Sequence, residues 1–115
     1  VRGKNPFSTE ALAEYLTAFK QSDAIHSSCE DYRAAASIDI EHDNADQGKK
    51  LLMPVLALWA KLGVIESCFD ALELWRLRAD KVEGEALEAG HYMAEEIPKD
   101  IAKRMSEFFL LNFKK

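Results

Sequence analysis

At 115 residues the chain is long enough for one small domain or for a piece of a larger one, and its 48% apolar and 30% charged residues are the balance of a globular protein. Asp and Glu number 20 against 15 Lys and Arg, a net charge of −5, which disfavours nucleic acid as a partner because phosphate binding needs clustered bases. The longest mainly apolar run, Leu51 to Ala60, is interrupted by Pro54 and falls well short of the roughly 20 residues that span a bilayer, so no membrane partner is expected.

The chain opens on Val1-Arg2-Gly3-Lys4-Asn5-Pro6, a polar lead-in without the apolar core of a signal peptide, and a first residue other than Met reads as the start of a fragment. Ser8 in Phe7-Ser8-Thr9-Glu10 is an N-cap, after which Leu12, Tyr15, Leu16 and Phe19 recur at three- and four-residue steps and predict an amphipathic helix. Ser22-Asp23 caps a second helix with Ile25, Cys29, Tyr32, Ala35 and Ala36 on one side. From Asp39 to Lys50 the composition turns acidic and polar and reads as a solvated turn, with Gln47-Gly48-Lys49-Lys50 as a boundary. Cys29 and Cys68 have no CxxC partner and no His at metal spacing; they read as reduced thiols of a cytoplasmic protein, Cys29 as a small buried thiol on a helix and Cys68 near the start of another.

Beyond the boundary the pattern changes in kind. Met53 to Trp59 is a continuous apolar run, the signature of a parallel strand buried on both faces, and Pro54 is tolerated at its first position. Glu66 to Ala79 predicts a helix with Phe69, Leu72, Trp75 and Leu77 inward, Val82 to Leu87 a second strand, and Pro98 to Phe113 a closing helix whose apolar face is Ile101, Met105, Phe108 and Phe109. Strand, helix, strand, helix implies parallel neighbours joined by a right-handed crossover. Two such strands are not a complete sheet, so the fold class expected is α/β, in the form of the C-terminal part of a larger protein.

Candidate chemistry concentrates at one histidine. In Ala89-Gly90-His91-Tyr92, His91 follows a Gly in the short connection between the second strand and a helix, where a general base can sit; a plain surface-loop histidine is the other reading the residues allow. Glu41-His42-Asp43 does not read as a metal site, since adjacent side chains diverge and no further ligand follows. Asp39 and Asp43 read as a solvated acidic turn before they read as paired catalytic carboxylates, and His26 as a partly exposed polar residue.

The run His26-Ser27-Ser28-Cys29-Glu30-Asp31-Tyr32-Arg33-Ala34-Ala35-Ala36, then Asp39-Ile40-Glu41-His42-Asp43, Pro54-Val55-Leu56-Ala57-Leu58-Trp59, Leu74-Trp75-Arg76, and Gly90-His91-Tyr92 with Glu95-Glu96-Ile97-Pro98 resembles the C-terminal portion of haloacetate (fluoroacetate) dehalogenases of the α/β-hydrolase fold. The resemblance runs from about Phe7 onward and is most specific in Cys-Glu-Asp-Tyr-Arg-Ala followed by Glu-His-Asp. It implies that residues 1–48 are end helices of a cap domain and that 49–115 form the last strand-helix-strand-helix of the hydrolase core. It further implies a catalytic His91 that activates water to hydrolyse an aspartyl ester, and a Tyr32 hydroxyl that hydrogen-bonds the departing halide. The implied substrate is a small 2-haloacid; no cofactor and no metal are expected, and exposed strand edges and helix stripes point to a homo-oligomer.

The departures from that family are equally specific. The attacking aspartate, the arginines that clamp a carboxylate, the acid that orients the histidine and the His-Trp of the halide pocket would all lie upstream of Val1. Many α/β-hydrolases place the triad acid just after the strand that is expected to end at Trp59; here Ala60-Lys61-Leu62-Gly63-Val64-Ile65 follows, and Glu66, the nearest acid, reads as the start of a helix. This disfavours a generic esterase, although an epoxide hydrolase or esterase activity stays open, as does a truncated, non-catalytic oligomerising module. Ala60, where the family usually has Gly, puts a methyl at a tight turn.

Overall fold

The computed structural model describes residues 5–113; the lead-in Val1 to Lys4 and the basic end Lys114-Lys115 lie outside the described residues. The chain divides into two compact units, one of residues 7–49 and one of residues 50–113 with Asn5 and Pro6.

The first unit is helical. Helix α1, Thr9–Phe19, starts where expected: Ser8 holds extended backbone and its hydroxyl accepts the Ala11 N–H at 3.0 Å, which satisfies one of the N–H groups left open at a helix start. The Phe7 ring meets Tyr15 edge-on at 5.9 Å. Helix α2, Ser22–Ala35, begins one residue after Gln21, and Ser22 and Asp23 lie inside it as its first residues. Helix α3, Ile38–Ala45, replaces the polar turn expected from Asp39 onward: Asp39 and Glu41 stand in its first turn, where the helix dipole favours acids, so a polar run with no apolar stripe is still helical. Asp46 caps its end, and Gly48, with φ of 81°, takes the left-handed conformation in the turn that follows, closed by the Lys49 N–H on the Asp46 carbonyl at 3.0 Å. No residue of the three helices is buried, and the α1 stripe of Leu12, Tyr15, Leu16 and Phe19 is exposed along its length. Cys29 is exposed too, which corrects the expectation of a buried thiol.

The second unit is built on two strands, β1 Val55–Ala60 and β2 Val82–Leu87, paired in parallel with Val55 opposite Val82 and Ala60 opposite Leu87. β1 starts after Pro54 and runs one residue past Trp59, whereas β2 has the limits the alternation predicts. Between them the single helix expected over 66–79 is two short ones, α4 Val64–Cys68 and α5 Ala71–Arg76. The break has a local cause: Asp70 caps a new helix by accepting the Glu73 N–H at 3.0 Å, and Phe69 is extended, so Cys68 ends a helix where it was expected to begin one. Consequently Phe69, Trp75 and Leu77 are exposed, Leu72 is half-buried, and Ala71 is the residue that goes inside. After β2 come a single unexpected turn of helix, α6 Met93–Glu96, and the long α7, Pro98–Asn112.

The core of this unit is small. Ala57, Ala71, Ala79, Ala89 and Phe108 are buried, and Phe108 is the one large side chain among them. On α7, Ile101 is half-buried, whereas Met105 and Phe109, expected on the inner face, are exposed and line with Phe108, Leu56 and Leu58 an open apolar hollow between the helix and β1. Arg104 Nε donates to Glu85 Oε1 at 2.5 Å and ties α7 to β2.

Gly84 sets how closely the two strands meet. It stands opposite Ala57, and a Cβ there would fall 1.9 Å from the Ala57 carbonyl oxygen, a contact no side chain can relieve because the obstacle is backbone. Gly84→Ala is therefore expected to destabilise the unit by about 1–3 kcal/mol, the cost of forcing extra volume into a packed site. Denaturant unfolding of a full-length protein carrying this segment, wild type beside variant, checks it, and an unchanged midpoint would contradict the close approach.

Candidate active site

Because β1 and β2 are parallel, the chain leaves both at the same edge of the sheet, the edge where open α/β sheets carry their sites. Backbone pairing continues past the strand ends there. The Lys61 N–H donates to the Leu87 carbonyl at 2.9 Å and the Leu62 N–H to the Ala89 carbonyl at 3.1 Å, while the Ala89 N–H folds back onto Leu87 at 2.7 Å. Ala89 is fully buried, so its methyl seats the turn against the unit. Lys61 and Glu88 form an ion pair across the two strand ends, and that hydrogen bond, followed by the charge of the Glu88 carboxylate, raises the Lys61 ammonium above its usual range.

The β1 side of the rim has its own fixture. The Trp59 indole N–H donates to Glu66 Oε2 at 2.5 Å, and Glu66 lies in the first turn of α4. The tight turn after β1 is carried by Gly63, whose N–H donates to the Ala60 carbonyl at 3.0 Å and whose missing Cβ would stand 3.1 Å from that oxygen. Ala60 ends the strand in ordinary paired backbone, so its methyl causes no strain.

His91 stands four residues beyond Leu87, the end of β2, and two beyond the buried Ala89, on the turn that follows Gly90. Its imidazole is exposed and lies edge-on to the Tyr92 ring, centroids 5.0 Å apart at 79°. The backbone around it is held by one side chain: Glu96 Oε2 accepts the Gly90 N–H at 2.8 Å and Glu96 Oε1 the Tyr92 N–H at 3.3 Å. Gly90 is not among the residues with positive φ, so it does not supply a left-handed turn. A Cβ on Gly90 would sit 2.7 Å from Glu96 Oε1; the glycine makes room for the carboxylate.

Tyr32 belongs to the other unit, in the last third of α2, and is 80% exposed with its hydroxyl available to a partner. His26, also on α2, lies 3.9 Å from Glu30, and His42 is on exposed α3. Among the described residues no group of three or more His, Cys, Asp or Glu side chains is placed to hold a metal ion, and no helix is long and apolar enough to cross a membrane. Glu96 is the site residue that reading the sequence for chemistry missed. A capping box would put the acid three residues after the N-cap, at Glu95, whereas the acid that reaches back is Glu96, four residues after Tyr92, so the pattern did not single it out.

An arrangement of this kind, a solvent-facing imidazole on a clamped turn at the carboxyl rim of a parallel sheet, can move a proton to or from a molecule above the rim. No protein-family model matches the chain. A fluoroacetate dehalogenase from Burkholderia sp is 34% identical over 106 residues, 92% of this chain and 35% of that protein. A proposed α/β hydrolase from Nostoc sp PCC 7120 is 42% identical and superposes over 96% of this chain and 38% of its own with a TM-score of 0.86. The chain belongs to the α/β-hydrolases.

It matches the C-terminal portion of that hydrolase fold, as expected from the strand and helix order. Two further hydrolase-fold relatives carry other reaction names: a proposed acyltransferase from Salmonella enterica is 35% identical over 97% of this chain and 37% of its own, TM-score 0.90, and a proposed epoxide hydrolase from Pseudomonas aeruginosa 33% over 96% and 38%, TM-score 0.86. The hydrolase segment thus spans little more than a third of the length of the relatives it matches.

Proposed function

We propose that the chain is the C-terminal segment of a hydrolase of the haloacetate dehalogenase type, in which His91 is the base that activates water. The observation that carries this reading is the exposed imidazole on a backbone-clamped turn at the sheet's carboxyl rim, in a segment 34% identical to a fluoroacetate dehalogenase. In the reaction, a carboxylate from outside this segment attacks the carbon bearing the halogen, and the halide leaves with the bonding electron pair. His91 then takes a proton from a water molecule as its oxygen adds to the ester carbonyl. Collapse of the adduct frees the hydroxyacid, which receives that proton, and the second water proton, left on the carboxyl group, passes to solvent to restore the carboxylate. Residues 1–48 contribute the end helices of a cap, with the Tyr32 hydroxyl as one donor to the developing halide charge, and residues 49–115 the end of the core. The setting is cytoplasmic and the substrate a small 2-haloacid, with no cofactor required.

Epoxide hydrolysis is the second reading, favoured by the likeness to the proposed epoxide hydrolase from Pseudomonas aeruginosa. It uses the same ester and the same base, so the two differ in which bond the carboxylate opens. Fluoroacetate and a small epoxide offered side by side to a full-length protein carrying this segment separate them.

Three outcomes are expected. By itself the 115-residue chain releases no fluoride from fluoroacetate above a buffer blank, while in a full-length protein His91→Asn lets the ester form and accumulate, seen as a mass increase on the attacking residue. Normal turnover by that variant would remove His91 as the base. Tyr32→Phe keeps the melting temperature and slows carbon–fluorine cleavage about ten- to a thousandfold, with a smaller loss on chloroacetate; equal losses on both would mean that Tyr32 only packs. Finally, with Leu12, Leu16 and Phe19 and with Met105 and Phe109 exposed, the isolated chain associates with copies of itself. Sedimentation at low micromolar concentration checks this, and a monomer with a sharp cooperative melt contradicts it.

A further inference from the structure

The Glu96 side chain touches the backbone on both sides of His91. Its two carboxylate oxygens take the Gly90 and Tyr92 N–H groups at 2.8 and 3.3 Å, and its own N–H returns to the Tyr92 carbonyl at 2.9 Å, which closes a loop from Gly90 to Glu96 by three hydrogen bonds. N–H bonds to an ionised carboxylate are about twice as strong as neutral ones. The far end of the loop is anchored. Pro98, two residues on, opens α7 with a fixed φ, the Asp100 and Ile101 N–H groups donate to the Ile97 carbonyl at 3.1 and 3.2 Å, and Phe108 buries the same helix against the unit. At the near end Ala89 is fully buried and Gly90 leaves the space a carboxylate needs.

We infer that Glu96 is the positioning residue for His91, a carboxylate that transmits the rigidity of α7 to the turn carrying the base. The inference rests on His91 acting as the base proposed above. Glu96 touches no reacting atom; its effect is on where the imidazole stands, and misplacing a catalytic group by about 1 Å costs on the order of a hundredfold in rate.

The test uses a full-length protein carrying this segment, with Glu96→Ala, Glu96→Gln and His91→Asn. Glu96→Ala is expected to speed hydrogen exchange in peptides covering 88–97 while leaving those covering β2 unchanged, and to lower kcat by about ten- to a hundredfold with KM within about twofold. Glu96→Gln keeps one acceptor oxygen and is expected to recover part of both. If Glu96→Ala does not fold, Glu96→Gln carries the test by itself, with faster exchange at 88–97 and a lowered kcat at constant KM. Exchange at 88–97 equal to wild type overturns the clamp. Faster exchange with undiminished kcat, where His91→Asn is inactive, overturns the positioning role and leaves His91 as the base. Normal turnover by His91→Asn removes the base and the inference with it, whatever the exchange shows.

Discussion

The parallel pairing of β1 with β2 is the constraint on which the second unit depends. Ala57 opposite Gly84 brings the two backbones together where any Cβ would strike a carbonyl, and from that contact the register runs without a slip to Ala60 opposite Leu87. A one-residue shift would turn every side chain of β2 to the other face and would place a side chain where Gly84 now stands. The pairing then outlasts the strands, since Leu62 still bonds Ala89, so the point at which the chain is released from the sheet is set by the same ladder. Everything His91 can reach follows from that release point.

The side chains tell a different story from the backbone. Backbone hydrogen bonds are well satisfied through the rim, yet burial is limited to four alanines and Phe108. Small residues let α5 and the turn at Ala89 lie close to the sheet, but they remove little apolar surface from water, and it is surface removed that drives folding. Leu56, Leu58, Met105, Phe108 and Phe109 outline a hollow that nothing fills, and the stripe of α1 is in the same condition. A segment spanning little more than a third of its relatives' length has the secondary structure of the fold and part of the core that goes with it.

How much of this was legible in the sequence depended on the kind of signal. Alternation and apolar runs located β2 to the residue and β1 to within two, and Pro98 marked the start of α7. What failed were the places where a cap outweighed a period. Asp70-Ala71-Leu72-Glu73 starts a helix in the middle of an apolar pattern that reads as one element, and Asp39 to Ala45 forms a helix with no stripe to announce it. Burial was overestimated for Trp75, Leu77 and Cys29 because periodicity says which residues share a face and not whether anything lies against that face. At the site, a Gly-His after a strand marked His91 as a candidate. Glu96 was not legible as its clamp, because the pairing with Gly90 spans six residues and exists only once the turn between them has formed.

The division of labour around His91 follows from these forces. The base proposed at His91 must be accessible to what it deprotonates, so its ring cannot be held by burial, and the ring here is exposed. Precision then has to come through the backbone, and an exposed turn is normally the least precise part of a fold. Glu96 accepts the Gly90 and Tyr92 N–H groups on either side of His91, and two residues on Pro98 opens the unit's longest helix. Glycine at 90 leaves the carboxylate its place, since a Cβ there would stand 2.7 Å from Oε1 and the end of the Glu96 side chain would have to shift. Gly90, Glu96 and Pro98 thus bear on one turn, as the space, the acceptor and the start of the helix that follows.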